Sequence, residues 1–130
     1  MSGRPKIAIV EDDGLFVALL VAALEEEFDI VVGRDGLQGI ALCLEGGVAA
    51  VITDIGMPDM NGIDMLKEFD ANPRLAGIPV LVVTATHFTR LCRDEVARFP
   101  QVKRMLSKTM DVQKLAGEIK AVLRETGALA

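Results

Sequence analysis

Six side chains in this sequence are of types that do chemistry together: Glu11, Asp12 and Asp13 in one run, then Asp54, Thr84 and Lys108. Each follows or closes a short apolar segment. Carboxylates converging from two neighbouring strands repel one another, so such a cluster needs protons or a cation to neutralise it. A hard divalent ion suits the site. Mg²⁺ takes oxygen ligands in octahedral array and is commonly held by one or two carboxylates plus waters and phosphate oxygens, which fits Asp12, Asp54 and a nearby carbonyl, with Glu11 holding a coordinated water.

A carboxylate is also a nucleophile toward phosphorus, giving an aspartyl-phosphate where metal and cationic groups neutralise the phosphoryl oxygens. Lys108 supplies a point charge for that role. Thr84 supplies a hydroxyl that can turn toward a phosphoryl oxygen once one is present, a contact confined to the modified state. Each residue also has a plainer reading. An acidic run at a helix start is favoured by the helix dipole, a task Asp13 can carry whatever its neighbours do. Thr84 alone is a strand-end threonine and Lys108 alone a surface lysine. Their joint placement on adjacent strand ends is what weighs toward chemistry.

The elements that must position these residues are legible as alternation. Short runs rich in Ile and Val, at residues 6–10, 29–32, 50–53, 78–83 and 102–106, are separated by longer segments of helical period. That is the pattern of βαβ units on a parallel sheet, and the runs are mostly continuous, as strands buried on both faces should be. In open parallel sheets, ligands bind beyond the carboxyl ends of the strands, where the acids, Thr84 and Lys108 fall. The second strand contributes only Gly33 and Arg34 there. The last helix is the clearest, with Asp111 as N-cap, Leu115, Ile119, Val122 and Leu123 on one face, and Gly127 at the stop.

With 130 residues, 51% of them hydrophobic, the chain is expected to form one domain, residues 1–130, with no linker, repeat or room for an output domain. Fourteen basic against nineteen acidic residues give −5, without a basic run to track a phosphate backbone, so nucleic-acid binding is not expected. The apolar run 15–24 is half the length of a membrane span and is closed by Glu25-Glu26-Glu27. No signal peptide is visible. Cys43 and Cys92 lie far apart in segments of helical pattern and read as free buried thiols of a cytoplasmic protein, not as a disulfide or zinc site.

Nearly the whole chain, residues 6–123, resembles the receiver domain of two-component response regulators, of the single-domain, chemotaxis-regulator kind. IAIVEDD is similar to the family's acidic start and VITDIGMPDMNGIDML to its phosphoacceptor strand with the MPxMxG loop. VLVVTAT is similar to the switch-threonine strand and MLSK to the end of the fifth strand. The thirty-residue interval from Asp54 to Thr84 also fits. The resemblance implies a flavodoxin-like, doubly wound α/β fold: a five-stranded parallel sheet ordered 2-1-3-4-5, with five helices. It implies Glu11 and Asp12 as the acidic pair, Asp54 as phosphoacceptor, Thr84 as switch residue and Lys108 as the phosphate-contacting lysine. Gly56 would offer its backbone carbonyl to Mg²⁺. The implied function is acceptance of a phosphoryl group from a histidine kinase or histidine phosphotransfer protein, with altered affinity for a downstream protein as the readout. Such a domain catalyses only its own phosphorylation and dephosphorylation.

The sequence departs from the family at the switch. Met105 stands where Tyr or Phe is usual, Thr109 replaces the proline after the lysine, and the stretch 99–104 lacks the frequent Gly-Ala-Asp. Met is flexible enough to repack, so a weaker or differently routed coupling is expected. These departures keep a second reading open, an interaction module with the receiver fold that works without phosphorylation. Two enzymatic readings fit poorly. A phosphohydrolase wants a second Asp at position 56, and Glu11-Asp12-Asp13 would repel a flavin phosphate. Gly56 and Thr86, both small, leave the expected phosphoryl group open to solvent or to a partner's side chain. His87, the only histidine, begins the fourth helix and is read as an ordinary polar helix start.

Residues 15–24 are apolar on every face, although a surface helix should show a polar side. Either Ala18, Ala22 and Ala23 lie outward at little cost, or the surplus face binds protein. In receivers this helix lies beside the pocket and docks the phosphodonor's four-helix bundle. Phe16 or Leu20 is the expected anchor of that contact, or of a homodimer.

Overall fold

The computed structural model describes residues 3–85 and 90–129. Five strands, β1 (Lys6–Val10), β2 (Asp29–Gly33), β3 (Val48–Thr53), β4 (Val80–Thr84) and β5 (Val102–Ser107), pair in parallel in the order β2-β1-β3-β4-β5. Among the described residues, five helices complete the fold: α1 (Gly14–Leu24), α2 (Gly36–Leu44), α3 (Gly62–Ala71), α4 (Arg93–Ala97) and α5 (Val112–Glu125). The architecture is the doubly wound flavodoxin-like one. Thr86 and His87, singled out in the sequence, lie outside the described residues.

The apolar runs become strands because both faces are covered. Ile7 and Ile9 face a core built with α1 and α5, through Val17, Leu20, Leu24, Leu115, Ile119 and Leu123. Ala8 and Val10 face a second core, with Cys43, Met65, Leu66, Phe69 and Val96 from the opposite helices. Strand β4 starts two residues later than its composition predicts. The Ile78 N–H is spent on the Leu75 carbonyl and Pro79 has no N–H, so the ladder opens at Val80, which donates to Gln101 O.

Helix starts are set by side chains. Asp13, Asp35, Asn61 and Asp111 each accept hydrogen bonds from backbone N–H groups of the first turn that follows. The α5 stripe is buried as expected, and Gly127 takes a left-handed φ of 83° just past its end.

Two expectations need correction. Leu20 is fully buried in the core and cannot anchor a partner. The outward residues of α1 are Leu15 at 74% and Leu19 at 49% exposure, with Ala18 and Ala22, while Ala23 packs partly against the core. Cys92 is half-buried at the N-cap of α4 instead of buried within a helix, whereas Cys43 is a buried free thiol in α2. No helix among the described residues is long and apolar enough to cross a membrane.

Candidate functional site

The strand order reverses between β1 and β3, so the chain leaves in opposite directions there and a crevice opens at their carboxyl ends. Val10 is in register with both Gly33 and Thr53, which puts Glu11 and Asp54 side by side as the first residues beyond their strands. Backbone bonds fix both: Glu11 N–H donates to Gly33 O at 2.9 Å and Asp54 N–H to Val10 O at 3.2 Å. On the far side, Thr84 pairs with Ser107, and Lys108 N–H donates to Thr84 O at 2.9 Å. The crevice therefore collects Glu11, Asp12, Asp54, Thr84 and Lys108 from four strand ends.

Glu11 and Asp54 are buried, and Asp12 is exposed at the rim. Their carboxylate oxygens lie within 4.8 Å of one another. Lys108 bridges the two buried acids, its Nζ 2.6 Å from Glu11 Oε1 and 2.8 Å from Asp54 Oδ2. The remaining carboxylate oxygens are also engaged: Ile55 N–H donates to Asp54 Oδ1 at 2.7 Å and Asp13 N–H to Glu11 Oε2 at 3.0 Å. Burial pushes the Glu11 carboxyl above the usual range, against the hydrogen bonds from Lys108 and Asp13, and the Asp54 charge adds to the rise. For Lys108, burial acts to lower the pKa but is outweighed by the bonds to Asp54 and Glu11, so its proton is held more tightly than usual.

Thr84 is fully buried and its Oγ1 has no hydrogen-bond partner among the described residues. Such an orphan hydroxyl is uncommon in folded proteins and calls for an explanation. Gly56 is exposed on the loop between β3 and α3. That loop is held at both ends, with Gly62 N–H donating to Ile55 O and Gly36 N–H to Met60 O, each at 2.9 Å, while Asp59 takes a left-handed φ of 61°.

Three residues contribute to the site in ways not expected from the sequence, including Phe16, expected only as a docking anchor. A Cβ on Gly62 would sit 2.2 Å from Asp54 O, so the α3 start is pressed against the Asp54 backbone. Thr53 Oγ1 donates to Asp54 O at 2.9 Å. The Phe16 ring lies 5.1 Å from Lys108 Nζ. Only Gly62 had a signal, a glycine after the N-cap Asn61; the other two arise from tertiary contact.

Beyond Lys108 the loop is built differently from what a proline would dictate. Thr109 Oγ1 lies 2.8 Å from Ser107 Oγ, and Thr109 N–H donates to the same oxygen at 3.2 Å. Met105 is half-buried and lines an open cavity of about 220 Å³ between β5 and α4, with Val96, Val102, Arg93 and Lys103.

A doubly wound parallel sheet with carboxylates and a lysine at its switch point is the build of a signalling receiver module. Residues 7–120 match the response regulator receiver domain family, and the chain belongs to it. The chain is 33% identical over 124 residues to the transcriptional regulatory protein CpxR of Klebsiella pneumoniae, covering 93% of this chain and 50% of that protein. It is 28% identical over 124 residues to the DNA-binding dual master transcriptional regulator RpaA of Synechocystis, covering 94% and 50%. It thus spans about half the length of these relatives. A crystal structure of a sensor protein from Polaromonas superposes with a TM-score of 0.83 at 26% identity, over 94% of this chain and 98% of that one.

Proposed function

We propose that this chain, as a single domain over residues 1–130, is a phosphoacceptor switch. Asp54 takes a phosphoryl group from a phosphohistidine of a histidine kinase or histidine phosphotransfer protein, and the change alters binding to a downstream protein. The observation that carries this is Lys108 held at 2.6–2.8 Å from both Asp54 and Glu11, beside a buried Thr84 hydroxyl without a partner among the described residues.

The donor set at the crevice is all hard oxygen, the three acids lie close enough to share one ion, and a single lysine leaves them in charge excess, which fits Mg²⁺. Asp12 and Asp54 would hold it directly, with the Gly56 carbonyl, and Glu11 would act through a water. When bound, the ion neutralises charge on the phosphoryl oxygens.

An Asp54 oxygen attacks phosphorus in line, the P–N bond of the donor breaks, and its electron pair returns to the donor imidazole. Lys108 remains as a positive charge beside the new phosphoryl oxygens. Thr84 Oγ1 gains the acceptor it lacks, which is how the modification reaches β4. Water attacking phosphorus releases phosphate and restores the carboxylate, so the domain acts catalytically on itself alone. We place this chemistry in the cytoplasm, with protein partners and no nucleic acid or membrane contact by these residues; the outward Leu15 and Leu19 are the surface for a donor or a second copy.

The second reading, a phosphorylation-independent interaction module, is favoured by Met105 in place of the family's aromatic. One experiment separates them. Incubated with Mg²⁺ and a small phosphodonor, the protein should gain one phosphoryl in intact mass, and Asp54→Asn should gain none. No adduct on the wild type, with the donor or with candidate kinases, leaves only the module.

A further inference from the structure

Lys108 is ion-paired through its ammonium with Glu11 and Asp54, at 2.6 and 2.8 Å. Its ammonium also faces the Phe16 ring at 5.1 Å, within the range of a cation–π attraction. This is the one such contact among the described residues. Phe28 and Phe69, by contrast, are fully buried among apolar side chains. Phe16 is half-buried and, with Glu11, Thr53 and Asp54, lines the floor of the crevice.

We propose that Phe16 is a positioning residue for Lys108, holding the ammonium in the crevice while its carboxylate partners change. This rests on the phosphoacceptor reading. The bonds to Glu11 and Asp54 are directional, and the one to Asp54 must be re-formed once that side chain carries a phosphoryl group. Attraction to a ring face tolerates displacement of the cation across it, so it persists in both states. The lysine stem has four carbons and the side chain is 22% exposed, so without the ring the ammonium has rotamers that turn to water.

The test compares Phe16→Leu, which keeps apolar bulk and loses the ring, with Phe16→Tyr, which keeps the ring. In Mg²⁺ and a small phosphodonor, Phe16→Leu should be phosphorylated about threefold to tenfold more slowly, and Phe16→Tyr within about twofold of wild type. Thermal unfolding confirms that both variants fold. By NMR, the Lys108 ε-methylene protons should be shifted upfield by the ring in wild type and Phe16→Tyr and return toward the other lysines in Phe16→Leu. Equal rates for Phe16→Leu and wild type, or equal losses in both folded variants, overturn the proposal. Wild type that takes no phosphoryl group sinks the phosphoacceptor reading, whereas unshifted Lys108 protons in wild type sink the role of Phe16 by themselves.

Discussion

The β1–β3 crevice and the β4–β5 edge meet at Lys108, yet they are built in opposite ways. In the crevice each carboxylate oxygen of Asp54 and Glu11 has an N–H or the Lys108 ammonium within 2.6 to 3.0 Å, the contact at Glu11 Oε1 being an ion pair without hydrogen-bond geometry. At the edge, Thr84 Oγ1 has no partner among the described residues, Met105 is half-buried, and a cavity of about 220 Å³ opens beside it. One region is preorganised, which suits a reaction whose cost lies in gathering charge. The other is uncommitted, which suits a surface that has to adopt a second arrangement.

The comparison breaks most directly at Gly62. A Cβ there meets Asp54 O at 2.2 Å and Ile55 Cα at 3.0 Å, both backbone atoms that cannot swing aside. Gly62→Ala should therefore cost about 3 kcal/mol of stability, the upper part of the usual overpacking range. Moving Asp54 away from Lys108 should also slow phosphorylation at least tenfold. Urea denaturation and phosphodonor kinetics check the two effects. A variant with unchanged stability and rate would mean that the crevice is as adaptable as the edge.

A second test asks whether both regions rest on one cooperative core. Cys43 lies in the same apolar cluster that Met105 packs against, and burial pushes its thiol up to about 11 from 9.0, with Lys6 nearby acting to lower it. A raised folded pKa means that the contribution is fully present below pH 9 and is lost as pH rises toward 11. The two-unit rise corresponds to about 2–3 kcal/mol. Stability from urea titrations should fall by about that amount between pH 8.5 and 11 (the window set by the pKa rise), and Cys43→Ala should flatten this fall. Amide protection factors near Asp54 and near Met105, from which the base-catalysed rise in intrinsic rate has been divided out, should fall together over the same interval; a fall at only one would show two separate units.

Much of this was legible in the sequence because buried parallel strands leave continuous Ile/Val runs and the site residues sit on their ends. The strand order was not legible in the same way: periodicity does not say on which side of β1 the next strand lies, and the order came from resemblance to the family. The β4 start was hidden because Ile78 is as apolar as its neighbours, while its N–H turns back to Leu75. The inward face of α1 was hidden for a related reason: an all-apolar helix has no polar phase to read, so Leu20 and Leu15 were indistinguishable until packing buried one and exposed the other. Gly62 is visible as the glycine after Asn61, but its press on the Asp54 backbone is not, and Phe16 acts through a contact between distant elements that no local pattern records.

The finest test restores the ring that the edge lacks. Met105 pairs in register with Val82, two residues before Thr84, and borders the cavity beside α4. Met105→Tyr adds bulk where space exists and places its hydroxyl near solvent, so stability should change by less than about 1 kcal/mol. Because Met105 packs against the second apolar cluster and lines the cavity beside α4, not the crevice, phosphorylation by a small donor should stay within about twofold of wild type. The chain has no Trp or Tyr, so the new tyrosine is also the only one and its emission reports the edge alone. Emission that changes on phosphorylation, at an unchanged rate, would show that the crevice reaches the edge through β4 and that the native methionine mutes the response. A rate altered tenfold would show that the two regions are not separable and that the edge takes part in the chemistry.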